Sequence, residues 1–169
     1  MINMLSKQFK AKLINLYLPY LGAGIRVVEI NPEFTRIEVE MGLNRWNKNV
    51  KGVHFGGSLY AMCDPHYMWI LMEHLGEDYI VWDVEANIRF KRPGRDTVRA
   101  VFEISLSRIK EIKDEIDVIG KSEYVFQTVI KGETGEIVAE VVKTVYVRKK
   151  DYKIHSTQTQ SSYIIQKNE

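Results

Sequence analysis

The chain has 169 residues, 45% hydrophobic and 27% charged, with a net charge of +2. That length suits one domain with a full apolar core, and so small a charge gives no reason to expect a nucleic-acid partner. A single cysteine, Cys63, excludes an intrachain disulfide and fits a reducing cytoplasm. Lys7, Lys10 and Lys12 break up the first apolar pattern, which therefore lacks a signal-peptide core. No apolar run approaches the roughly 20 residues of a membrane span.

In chain order, Leu5, Phe9, Leu13, Leu16 and Tyr17 fall at helical spacing until Pro19 and the glycines at 22 and 24, which predicts an N-terminal helix within 1–20. Two strands are expected near 24–31 and 34–41, divided by Asn31-Pro32; in the second, Thr35, Ile37, Val39 and Met41 alternate with Arg36, Glu38 and Glu40. Residues 56–75 read as a long, nearly all-apolar helix carrying Leu59, Met62, Cys63, Tyr67, Met68, Ile70, Leu71 and Leu75. Pro65 predicts a kink in it immediately after Asp64.

The remainder is strand-rich. Ile80, Trp82, Val84, Ala86, Ile88 and Phe90 alternate with Tyr79, Asp83, Glu85, Asn87, Arg89 and Lys91, which predicts a strand with the apolar set buried and the charges wet. Pro93-Gly94 turns the chain, and Val98, Ala100, Phe102 and Ile104 return it. Leu106, Ile109, Ile112 and Ile116 predict a short surface helix, and a hairpin follows over about 123–148 with its loop at 132–135. The whole predicts one domain over 1–150 and a polar tail over 151–169. Its class is α+β, an antiparallel sheet around a buried helix.

Candidate chemistry gathers at the start of the long helix. Gly56 and Gly57 open it, and Asp64 sits seven residues after Gly57. First-turn N–H groups have no intrahelical partner and can bind negative charge. A carboxylate nearby could position a water, and acyl hydrolysis needs both functions. An unpaired carboxylate on an apolar helix is costly unless something is gained; the plainer reading is a solvent-facing kink or an acceptor for a freed N–H. His54 lines a pocket or satisfies a loop carbonyl. Cys63 reads as a small core residue, Ser58 as a cap, and His66 and His74 lack metal-ligand spacing, so no metal site is expected.

The pattern Asn49, Gly52, Gly56, Gly57 and Asp64, followed by Ala86-Asn87-Ile88-Arg89-Phe90-Lys91-Arg92-Pro93-Gly94, resembles hotdog-fold acyl-CoA thioesterases. In particular it resembles the uncharacterised DUF4442 branch related to the phenylacetate-pathway thioesterases. It covers roughly 20–148 and implies a sheet wrapped around the central helix. Asp64 would be the base or the nucleophile. The N–H of Gly57, alone or with that of Gly56, would hold the oxyanion, and Asn49 would orient the loop or the water. Phe55 stands where relatives of the phenylacetate type carry a histidine; His54 lies one position earlier.

The resemblance further implies an acyl thioester of coenzyme A or a carrier protein as substrate, with no separate cofactor. The acyl tunnel would be lined by Leu59 and Met62, and a homodimer or dimer of dimers would place substrate between subunits. Arg89, Lys91, Arg92 and Arg95 would take the coenzyme A phosphates, or simply protect a strand edge. A non-enzymatic acyl- or lipid-binding protein, a hotdog hydratase or dehydratase, and an assembly protein are the alternatives.

Overall fold

The computed structural model describes residues 13–152. Most of the N-terminal helix expected within 1–20, and nearly all of the 151–169 tail, lie outside the described residues. In order come α1 (Leu18–Ala23), β1 (Ile25–Ile30), β2 (Arg36–Met41), α2 (Gly56–Ala61), α3 (His66–Leu75), β3 (Tyr79–Phe90), β4 (Val98–Glu103), α4 (Leu106–Ile119), β5 (Lys121–Lys131) and β6 (Ile137–Lys149). Pro19 does not end a helix: it sits in the first turn of α1, where its missing N–H is no loss.

The six strands form one antiparallel sheet in the order β1-β2-β4-β5-β6-β3, so β1 and β3 are its edges. The class is α+β, as expected. Thr35, Ile37, Val39 and Met41 are buried, as their alternation requires. Val98, Ala100 and Phe102 of β4 join them, and Ile109, Ile112 and Ile116 of α4 complete the core from outside the helix pair. α4 starts at Ser105, whose Oγ accepts from the Arg108 N–H at 3.2 Å.

The single long helix does not form. α2 ends at Ala61 with Met62 as its C-cap, and α3 begins after Pro65, which cannot donate to the carbonyl four residues back. The expected kink is a full break, and it leaves the Asp64 carbonyl outside either ladder.

β3 corrects the predicted facing of its side chains. Asp83 pairs with Val145 and Glu85 with Thr144, so Val84 is an extra residue, a bulge. Before it, Tyr79 and Val81 face inward and are buried, while Trp82 is 65% exposed. After it the parity reverses: Ile88 pairs with buried Val141 and packs on the core. Because side chains alternate with period two, one inserted residue swaps the faces. Asp83, expected on the wet face, therefore points inward.

On β6 the inward residues are Ala139, Val141, Lys143, Val145 and Val147, all buried. Lys143 is the one cation in that stripe, and its side chain is 0% exposed.

Candidate functional site

The Lys143 ammonium has three donors, and all three are used. It donates to the Asp64 carbonyl at 2.8 Å, to Asp64 Oδ1 at 3.2 Å and to Asp83 Oδ2 at 2.9 Å. The break at Pro65 frees that carbonyl, the Val84 bulge is adjacent to Asp83, and β6 sets the lysine between them. Three features of the backbone thus converge on one cation. Tyr60, one turn before Asp64, donates its hydroxyl to the same Asp64 Oδ1 at 3.0 Å, and its ring centroid lies 5.5 Å from Lys143 Nζ.

Burial pushes the Lys143 ammonium down, but the hydrogen bond and charge of Asp83, backed by Asp64 and Tyr60, outweigh it and hold the group above its ordinary value. Burial also raises the Asp83 carboxyl, which the Lys143 hydrogen bond only partly offsets. The ammonium's direction is the one that defines the cluster, because each of its protons meets an oxygen.

Asp64 Oδ1 is held from two sides, whereas Oδ2 makes no hydrogen bond among the described residues, and the side chain is 54% exposed. The acid borders two hollows. One, of about 360 Å³, lies between Tyr60, Met68 and the bulged stretch from Trp82 to Ala86. The other, of about 1200 Å³, is mostly apolar and runs between residues 13–20 and α3, past Tyr20, Trp69 and Met72. Tyr60, Asp64 and Met68 border both. Leu59 and Met62, expected to line the acyl tunnel, are buried in the core and border neither.

Gly57 is exposed in the first turn of α2, which has no side-chain cap. It stands seven positions before Asp64, with the end of α2 at Ala61 between them. Neither glycine lines a hollow beside Asp64. In one chain the diglycine and the acid do not face a common atom. Phe55 lies over Gly57, where a Cβ would come within 2.4 Å of its ring, and the Phe90 ring lies against Gly56.

Asn49 organises its own loop. Its Oδ1 accepts from the Lys51 N–H at 2.8 Å and the Val53 N–H at 3.4 Å, and its Nδ2 donates to the His54 carbonyl at 3.5 Å. His54 is buried; its N–H donates to the Gly94 carbonyl at 3.0 Å and its Nε2 to the Asp96 carbonyl at 2.8 Å. Burial lowers its pKa despite that bond. The histidine latches the 43–55 loop to the 91–96 turn. It therefore brings the loop carrying Arg45, Lys48 and Lys51 to the turn carrying Lys91, Arg92 and Arg95, and Asp96 is the one acid in the two stretches. Arg89, Lys91, Arg92 and Arg95 are all exposed; Lys91 pairs with Glu140 at 2.9 Å, and the three arginines make no ion pair among the described residues.

Cys63 is buried, and desolvation pushes its thiol far up, which disfavours the thiolate. Tyr60 and Lys143 are the residues that sequence reasoning missed. Lys143 carried a signal: it is a charge in mid-strand, in phase with Ala139, Val141, Val145 and Val147.

The chain belongs to the DUF4442 family, a domain of unknown function, whose sequence model matches residues 6–147. No curated protein matches it. Among solved structures it is similar to a Pseudomonas aeruginosa protein of unknown function described as a probable thioesterase, with a TM-score of 0.75 and 22% identity over 86% of this chain and 97% of that one. It is also similar to a Haemophilus influenzae thioesterase, with a TM-score of 0.63 and 21% identity over 89% and 98% of the two chains. A mutant thioesterase from Pseudomonas aeruginosa gives 0.64 and 16%, over 83% and 93%. The chain thus shares a thioesterase-like fold.

Proposed function

We propose that the protein is a hotdog-fold acyl thioesterase whose site is completed between two copies of the chain. The observation that carries this reading is the Asp64 carboxylate: one oxygen is fixed by Lys143 and Tyr60, the other has no hydrogen bond among the described residues, and the residue borders the hollow. A carboxylate so oriented can take a proton from water as the water oxygen attacks a thioester carbonyl, or can attack that carbon itself. The carbonyl oxygen becomes negative, collapse expels the thiolate, and the thiolate takes the proton that Asp64 drew from water; on the direct route the acyl–Asp64 anhydride is then cleaved by water, which frees the acid and supplies that proton.

The oxyanion falls to the Gly57 N–H of the other copy, since within one chain neither hollow beside Asp64 is lined by that glycine. The exposed outer edge of β3, with Trp82 and Val84 standing out at 65% and 48%, favours an isologous pairing of two such edges. The apolar hollow along α3 suits a medium to long or aromatic acyl chain. The basic rim of Arg89, Lys91, Arg92 and Arg95, with Lys48 and Lys51 alongside, suits the phosphates of coenzyme A.

A second reading, binding without turnover, is favoured by the Phe55 ring lying over Gly57. Purified protein with a panel of acyl-CoA esters separates the two. Hydrolysis that disappears in Asp64→Ala supports the thioesterase. Saturable binding with no release of free thiol refutes it and leaves the acyl-binding protein.

A further inference from the structure

Lys143 has no assigned role, and its position in the fold is costly. A cation in the centre of an apolar stripe is retained against a desolvation penalty that a valine would not incur. What it holds is specific. Of its three protons, one goes to the Asp64 backbone, one to the Asp64 side chain and one to Asp83. Backbone and carboxylate of the same residue are thus gripped by one ammonium, which fixes both the Cα position and the side-chain rotamer of the acid.

We infer that Lys143 is the positioning residue for Asp64. It clamps Oδ1 so that Oδ2 faces the hollow, and Asp83, turned inward beside the Val84 bulge, anchors the ammonium from the far side. The inference rests on the role given to Asp64 above. Lys143 itself lies beneath the acid and does not reach substrate. Its charge cannot be supplied by another group in the cluster, whose remaining members are two carboxylates and a phenol. Tyr60 adds a second donor to the same oxygen, so the clamp is two-sided, and only the lysine side also binds the main chain.

The purely structural alternative is that Lys143 caps the carbonyl end of α2, a favourable place for a cation. Kinetics separates the two roles. Lys143→Met should lower kcat about 100-fold with KM changed less than about 3-fold, because the loss is in the transition state rather than in binding. Lys143→Arg should recover at least about a tenth of the wild-type rate, since a guanidinium can still donate to Asp64. The double variant Lys143→Met with Asp83→Asn removes the buried acid left unpaired, so its melting temperature should return toward wild type while kcat stays low.

Recovery of both stability and kcat in the double variant overturns the inference, as does a loss confined to KM. Should the wild type hydrolyse no thioester, the thioesterase reading fails and the clamp is judged by itself. The 15N signal of the Lys143 ammonium should then shift in Asp64→Ala, and an unmoved signal refutes the contact.

Discussion

The Tyr20 hydroxyl lies 3.2 Å from His66 Nε2, with both side chains buried. The same nitrogen is 3.1 Å from the Met62 carbonyl, which can only accept, so Nε2 carries the proton. His66 Nδ1 is buried without a partner among the described residues. The ring is therefore neutral, and desolvation pushes its pKa down to about 3. Between that value and the ordinary value near 6.5, the unfolded chain binds more protons than the folded one. Stability is thus full above pH 6.5 and falls as pH drops toward 3, by up to about 1.4 kcal/mol per pH unit. Urea unfolding at pH 6.5 and 5 should show a flatter dependence for His66→Phe than for wild type. Equal slopes would mean that His66 does not titrate in this way.

Gly94 and Gly57 should respond differently to alanine. At Gly94 the new Cβ meets His54 Cδ2 at 2.9 Å and two valine methyls at 3.3 and 3.4 Å, in a buried latch. Gly94→Ala should cost about 1–3 kcal/mol through overpacking. At Gly57 the clash is with the exposed Phe55 ring, which can swing aside, so Gly57→Ala should cost less than about 1 kcal/mol. Chemical denaturation of the pair checks the order.

The outer edge of β3 predicts an oligomer. Light scattering should give at least a dimer, and Trp82→Glu combined with Val84→Lys should give a folded monomer, since charges on an edge oppose pairing. If hydrolysis survives in that monomer, the shared site is wrong.

Arg92→Glu with Arg95→Glu should raise KM for an acyl-CoA about 10-fold or more, and do so most at low salt, where exposed charges are least screened. A thioester of a short neutral thiol should be nearly unaffected. A parallel rise for both substrates would remove the phosphates from that rim.

Much of this fold is legible in the sequence. β2, β4, α4 and the β5–β6 hairpin follow from apolar spacing, because each has one buried face throughout. The site is legible only in part. Asp64 could be singled out because a carboxylate in an apolar run is conspicuous. Lys143 stands in phase with Val141 and Val145, but its place among lysines and arginines at the end of the chain also reads as an ordinary strand-surface charge, and its partners come from two distant segments. The facing of Asp83 could not be read at all, since nothing in Asp83-Val84-Glu85 marks a bulge. The two-piece helix was half-legible: Pro65 announces a disruption, but the length of the gap depends on Lys143 taking the freed carbonyl. Tyr60, Asp64 and Met68 keep a four-residue spacing across that gap, and that spacing is how they come to border the same hollows.

The inserted Val84 makes the middle of β3 unusually intolerant of length change. Losing that one codon would close the ladder with ordinary pairing, and everything on one side of the deletion would turn over together: either Asp83 would swing away from its lysine, or Phe90 would leave Gly56. A homologue that differs here by one residue would accordingly have to rebuild half a strand. Alignments of such chains should place their gaps in the loops, and should count a gap at this position as a different arrangement around Lys143.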